Sequence, residues 1–248
     1  MDPKDTVDTR DVGEPVGALV RAARAGLAEL GDPEKATEMR RYMKSEMPFR
    51  GVPKPERAGL ARRLFAAHPL PDAGTWAATI RTLWRTAEFR EERYLAIDLS
   101  GHRAYAGWQG TGMLPVYEEM IVTGAWWDFV DEVAIRRVGP LLRAAPETLT
   151  PMLRGWAVDE DLWRRRTAVI CQIGAKDKTD TELLTDTIES TVSTPDGLDF
   201  FIRKGIGWAL RDYSKTDPDW VRAFVTAHPA LSPLSVREAL RRLPARTD

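Results

Sequence analysis

WRRRTAVICQ, residues 163–172, is a small-and-apolar run with helical spacing, led by a basic residue, Arg166. The pattern returns in REERYLAIDL at 90–99, around Arg93, and in FIRKGIGWAL at 201–210, around Lys204. Arg93 to Arg166 is 73 residues, two steps of 36 or 37, and Arg166 to Lys204 is 38. The remaining step falls at Val130 and Asp131, inside TGAWWDFVDE at 123–132. Four equivalent helices at such a spacing, one helix pair per step, are the signature of helical solenoids, whose units bury their apolar faces only against neighbours. The expected fold is all-α, a HEAT-like or armadillo-like solenoid with a concave wall. The alternative is an irregular bundle, because helices rich in Arg, Ala and Leu resemble one another by chance.

The rest of the chain agrees with that reading. From Pro15 onward apolar residues recur at three and four, without the alternation of strands. Helices are expected over roughly 15–30, 33–46, 55–67, 72–86, 88–100, 113–123, 126–138, 147–157, 160–174, 180–192, 198–215, 217–227 and 234–243. Asp32-Pro33 and Asp217-Pro218 each pair an N-cap side chain with proline at the first helical position, and Ser235 is a further expected cap. The first fourteen residues, MDPKDTVDTRDVGE, are polar and acidic and are expected to form a disordered tail before a single domain over 15–248.

A chain of 248 residues with 43% apolar content can build a sizeable core. Thirty-six basic against 37 acidic residues give a net charge of −1, so the total charge neither points to a polyanion nor excludes one. One cysteine, Cys171, excludes an internal disulfide, and His68, His102 and His228 lie far apart without metal-ligand spacing. Neither a metal nor a cofactor is expected. No run approaches the ~18 apolar residues of a membrane span. A cytoplasmic monomer is the expectation.

On a helix over 126–138, Val130, Trp126, Val133 and Ala134 share one face, and Trp127 and Asp131 stand side by side at its edge. Arg137 falls on the packed face and must reach out from the helix end. If the repeats are in phase, Trp127, Asp131, Arg166 and Trp208 face a common groove. Charge is segregated along the sequence: Leu162 to Lys178 carries net +4 and Phe200 to Thr216 net +3, whereas Asp180 to Asp199 holds six acids and no base. Such a basic wall attracts a polyanion despite the neutral total. Taken singly these residues read more blandly, the exposed-edge Trp as packing and Arg164 to Arg166 as a solvated helix face. Gly205 and Gly207, inside an expected helix, each cost about 1 kcal/mol relative to alanine, so a close approach by another helix or by a phosphate backbone is implied.

RRYMKSEMPFRGVPKPER (40–57), VTGAWWDFVDEVA (122–134), LWRRRTAVICQ (162–172) and FFIRKGIGWALRDYSKTDPDWV (200–221), followed by LSPLSVREAL, resemble in order and spacing the AlkD-like DNA alkylation repair glycosylases. The resemblance spans nearly all of 30–243, and the last long motif is its most specific part. It implies an all-α protein of HEAT-like repeats with a concave DNA-binding groove, acting on duplex DNA that carries cationic alkylated purines such as 3-methyladenine and 7-methylguanine. Carried over by position, it makes Trp127 and Trp208 the site tryptophans, Asp131 the catalytic carboxylate, and Arg166 a DNA-backbone contact. Tyr42 matches the N-terminal DNA-contacting tyrosine, and Lys44, Lys204 and Arg211 complete the expected DNA-binding set. A slightly longer loop at TVSTPDGLD is the expected departure.

These residue types suit that chemistry. A cationic purine leaves as a neutral base without a general acid, and positive charge grows on the deoxyribose, where a fixed carboxylate stabilises it. Indole faces attract cations by about 0.5 to 2 kcal/mol per contact. No β-elimination lysine is evident, so the reaction is expected to stop at an abasic site. The competing readings are a non-catalytic helical-repeat scaffold that binds DNA or protein, and a resistance glycosylase for natural-product adducts.

Overall fold

The computed structural model describes residues 13–195, 197 and 199–243. Of the expected N-terminal tail, residues 1–12 lie outside the described residues, while Glu14 already opens a helix. The fold is an all-α helical repeat, with no strand among the described residues. It divides into two compact units, one ending at Gln109 and the other beginning at Gly110.

The first unit contains α1 (Glu14–Glu29), α2 (Pro33–Met43), α3 (Lys54–Ala67), α4 (Ala73–Arg85) and α5 (Arg90–Ser100). Its core is where the apolar stripes of α1, α4 and α5 meet, at Leu19, Leu27, Trp76, Ile80, Leu83, Leu95 and Leu99. α2 has no such stripe, and Met43 is its only buried residue. Asp32 caps it as expected, accepting the N–H of Glu34 and Lys35. The helix stops at Met43, short of the expected 46, because Lys44 turns left-handed at φ 49°. The following loop is tied to the core by the buried Glu91 carboxylate, which accepts the N–H of Arg50, Gly51 and Val52. Gly51 is obligatory there: its φ is +82° and a Cβ would stand 2.0 Å from the Asp32 carbonyl oxygen. Arg93, the repeat-leading residue of this unit, lies over the Trp84 ring.

The second unit contains α6 (Leu114–Gly124), α7 (Trp127–Val133), α8 (Gly139–Ala144), α9 (Pro146–Trp156), α10 (Leu162–Ile170), α11 (Thr181–Val192), α12 (Phe200–Tyr213), α13 (Pro218–Ala227) and α14 (Pro233–Leu240). α10 is its hub, packing against α6, α7, α9, α11 and α12, and is buried from Arg165 to Ile170. The two glycines of α12 answer the question their sequence posed. A Cβ at Gly205 would meet Arg166 of α10 and Ile170, and one at Gly207 would meet Glu238 and Ser235 of α14, so both serve close helix packing. Asp217 caps α13 as expected, but α14 is capped by Ser232, whose side chain accepts the N–H of Ser235. Residues 196 and 198, in the loop expected to be longer, lie outside the described residues.

The segment expected as one helix over 126–138 differs at both ends. Trp126 is the extended N-cap of α7, at φ −154° and ψ 143°, rather than a helical residue. At the other end the helix does not stop before Gly139-Pro140; it passes through a π turn, Ala134–Val138, and continues as α8. Proline explains the turn, since its ring lacks an N–H and crowds the carbonyl four residues back, here that of Arg136. The widened turn inserts one residue: the Gly139 N–H donates to the Ala134 carbonyl, five back, and Arg137 Nη1 donates to the freed Arg136 carbonyl at 3.0 Å. Arg137, which fitted the packed face poorly on a regular helix, thus has a local partner.

Candidate active site

The second unit brings Trp127, Asp131 and Trp208 to one open cleft of about 640 Å³, together with Asp128, Glu132, Arg136, Pro140, Arg143, Ile173 and Gly174. Three elements build it. The continuous rod of α7, the π turn and α8 supplies one wall, the turn after α10 contributes Ile173 and Gly174, and α12 presents Trp208. Gly174 adopts φ +83° and donates its N–H to Asp212 Oδ2 at 2.6 Å, which ties that loop to α12.

α7 starts abruptly. Ala125 closes α6 in a left-handed conformation, φ 42°, and Trp126 extends the chain before Trp127 begins the next helix. The two adjacent indoles therefore diverge. Trp126 packs edge-on against Phe201, with ring centroids 5.5 Å apart, and lies near Trp163. Trp127 is half-buried and lines the cleft.

Asp131, one turn further on, is held by a fork. Arg166 Nε donates to Oδ1 at 2.7 Å and Nη2 to Oδ2 at 2.8 Å, while Nη1 donates to the Phe201 carbonyl at 2.5 Å. A bidentate guanidinium fixes both the rotation and the position of a carboxylate. It uses one acceptor direction on each oxygen, and a carboxylate has about two on each. The Asp131 side chain is 13% exposed, and what is exposed faces the cleft. Burial pushes the Asp131 carboxyl above the usual carboxylate range; the Arg166 fork opposes that shift and Asp128 adds to it.

Arg166 itself, expected from sequence to touch the DNA backbone, is 5% exposed with its guanidinium engaged by Asp131 and Phe201. In this geometry it positions Asp131. Its place depends on Gly205, where a Cβ would lie 3.1 Å from Nη1. The neighbouring arginines of the RRR run are engaged too: Arg164 pairs with Glu118 and Asp159, and Arg165 donates to the Asp159 and Glu160 carbonyls.

Lys204 and Arg211 share the half-buried strip of α12 with Trp208, spaced four and three residues from it, but their charges are taken up by α14. Lys204 Nζ lies 3.1 Å from Glu238 Oε1, and Arg211 Nη1 pairs with Glu238 Oε2. The Lys204 contact, with Arg211 beside it, holds the Glu238 carboxyl below its usual range. Tyr42 and Lys44 belong to the first unit. Both are exposed, Tyr42 to 76%, the most open of the large hydrophobic side chains described.

Sequence reasoning missed Arg136 and Arg143. Arg136 lies in the π turn and Arg143 on α8, and the helix was expected to end between them. Among the described residues no group of three or more His, Cys, Asp or Glu side chains is placed to hold a metal ion, and no helix is long and apolar enough to cross a membrane.

The family model described as DNA alkylation repair enzyme matches residues 23–243. A solved structure, "Predicted DNA alkylation repair enzyme from Enterococcus faecalis", is similar with a TM-score of 0.76 and 32% identity, over 87% of this chain and 98% of that one. No curated protein matches.

Proposed function

The chain belongs to the DNA alkylation repair enzyme family, and on that premise we propose that it is a monofunctional DNA glycosylase for cationic alkylated purines, 3-methyladenine and 7-methylguanine among them, in duplex DNA. The observation that carries this reading is the cleft in which an oriented carboxylate, Asp131, stands with two indoles, Trp127 and Trp208.

The chemistry balances with these groups alone. The bond from C1′ to the alkylated purine nitrogen breaks, its electron pair passes to the base, and the base leaves neutral. Positive charge develops on the deoxyribose. Asp131 faces that charge as an anion, and the acceptor directions left open by Arg166 orient a water whose oxygen bonds to C1′. The water's proton passes to the carboxylate or solvent, and the product is an abasic site. Pre-aligned charge of this kind lowers a barrier because no reorganisation is needed at the moment of reaction, and each ~1.4 kcal/mol is tenfold in rate. An unmodified purine would leave as an anion, which the site does nothing to stabilise, so selectivity for charged lesions follows from the mechanism.

Trp127 and Trp208 offer π faces to the cationic nucleotide. The open cleft supports gripping the nucleotide and its backbone in place of enclosing an extruded base. Exposed Tyr42 and Lys44 are proposed as further contacts to DNA, and Lys204 and Arg211 as contacts whose strength Glu238 moderates.

The test is a profile of bases released from duplex DNA treated with a methylating agent. The reading expects release of 3-methyladenine and 7-methylguanine, and none of unmodified purines or of neutral damaged bases. Duplex binding without release of any base would leave a non-catalytic DNA-binding scaffold.

A further inference from the structure

The π turn in the α7–α8 rod changes which side chains look into the cleft. On an uninterrupted α-helix Arg143, twelve residues after Asp131, would lie about 120° round the axis from it, and Pro140 about 180°. One inserted residue turns everything beyond it back by about 100°, which brings Arg143 to about 20° and Pro140 to about 80°. Trp127, at about −40°, then begins a single stripe that runs through Asp131 to Arg143. The cleft lining agrees, since it contains Trp127, Asp131, Pro140 and Arg143 together. The Arg143 guanidinium folds back along the rod, its Nη1 3.5 Å from where a Cβ on Gly139 would stand, and lines the cleft that Asp131 also faces.

Ion pairs hold other arginines of this unit in structural roles, among them Arg154 with Glu182 and Asp186, Arg164 with Glu118 and Asp159, Arg166 with Asp131, and Arg211 with Glu238. Arg136 and Arg143 are exposed, line the cleft, and are paired with no carboxylate among the described residues. The cleft is therefore polarised along its length. Asp128, Asp131 and Glu132 occupy the α7 end and the two arginines the α8 end. A cationic sugar–base unit with an anionic backbone has the same polarity. Arg136 and Arg143 are about 10 Å apart along the rod, so they can engage two different phosphates of one strand.

Resting on the glycosylase reading above, we propose that Arg136 and Arg143 bind phosphates of the lesion-bearing strand, the role the family resemblance implied for Arg166, and thereby set the lesion nucleotide against Trp127 and Asp131. They are binding and positioning residues. The π turn is the device that brings Arg143 onto the stripe of Trp127 and Asp131.

The experiment is binding of an undamaged duplex across a potassium chloride series, by fluorescence anisotropy, for wild type, Arg136→Gln, Arg143→Gln, the double Gln variant, the double Lys variant, and Arg154→Gln as a control that does not line the cleft. Each phosphate left without its arginine should reduce the slope of log K against log salt by about 0.9. The double Gln variant should show close to twice that reduction, and the double Lys variant and the control should keep the wild-type slope. Single-turnover base release should show a raised half-saturation with the rate at saturating enzyme largely retained. A wild-type slope in the double Gln variant would overturn the proposal, and so would an equal reduction in the double Lys variant, which would mark a structural effect. Because the slope is read on undamaged DNA, a protein that shows the predicted slopes but releases no base refutes the glycosylase reading and leaves the phosphate contacts standing.

Discussion

Gly205 and Gly207 lie two residues apart on α12 and support different things, so alanine at each should separate stability from activity. A Cβ at Gly205 would lie 3.1 Å from Arg166 Nη1 and 3.2 Å from Ile170 Cγ2, so its neighbours must give by a few tenths of an ångström. Alanine in a helix interior gains about 1 kcal/mol over glycine, and mild overpacking loses about as much, so the net stability change should be within about 1 kcal/mol of zero. The guanidinium that must give is the one that orients Asp131. Misplacing a reacting group by about 1 Å can cost ~100-fold, so a shift of a few tenths should slow single-turnover base release by roughly 3- to 10-fold. A Cβ at Gly207 would instead stand 2.6 Å from Glu238 Cβ and 3.0 Å from the Ser235 carbonyl oxygen, which forces α14 away. Overpacking of that degree costs about 2 to 3 kcal/mol against the same ~1 kcal/mol gain, a net loss of about 1 to 2 kcal/mol, while the Asp131–Arg166 fork is untouched. Urea unfolding and single-turnover release on both variants decide the matter. The reasoning fails if Gly205→Ala keeps the full rate, or if Gly207→Ala loses rate without losing stability.

Glu238→Gln removes the acceptor that neutralises Lys204 and Arg211. Duplex binding should tighten and its salt slope steepen by about one to two units, with a loss of about 1 kcal/mol in stability; weaker binding would show that Glu238 orients these cations for DNA. Because the Glu238 carboxyl is held below 4.5, its contribution to stability is present above that pH and is lost as pH falls through its folded value. Asp131 has the opposite sign. Its raised carboxyl means that ionisation costs stability, a penalty absent below 3.8 and complete above the folded value. Urea unfolding across pH should therefore show Asp131→Asn gaining on wild type as pH rises through that window. The acid limb of base release should lie above pH 3.8, and a limb at or below that value would contradict the burial argument.

Much of this was legible in the sequence. Helix periodicity and repeat spacing indicated the all-α repeat, and the 100° step placed Trp127 and Asp131 together because both lie before the π turn, where the helix is regular. What escaped has two physical causes. Gly139-Pro140 reads as a helix stop, yet a carbonyl freed by proline can be satisfied by a neighbouring guanidinium, as Arg137 does here, and the rod continues with its phase reset. The second cause is that ion pairing joins residues far apart in sequence. Asp131 and Arg166 are 35 residues apart, Lys204 and Glu238 34. An arginine in a basic run looks solvent-facing until its carboxylate is found, and local patterning cannot reveal that partner.

The most direct test of the central claim is single-turnover release of 7-methylguanine from a defined duplex at saturating enzyme, comparing wild type with Asp131→Asn after showing that both bind the duplex equally. The account predicts a rate at least ~100-fold lower in the variant, since a neutral amide held in the same fork no longer opposes positive charge on the sugar. Equal rates in the two proteins would remove Asp131 from the chemistry and contradict the account.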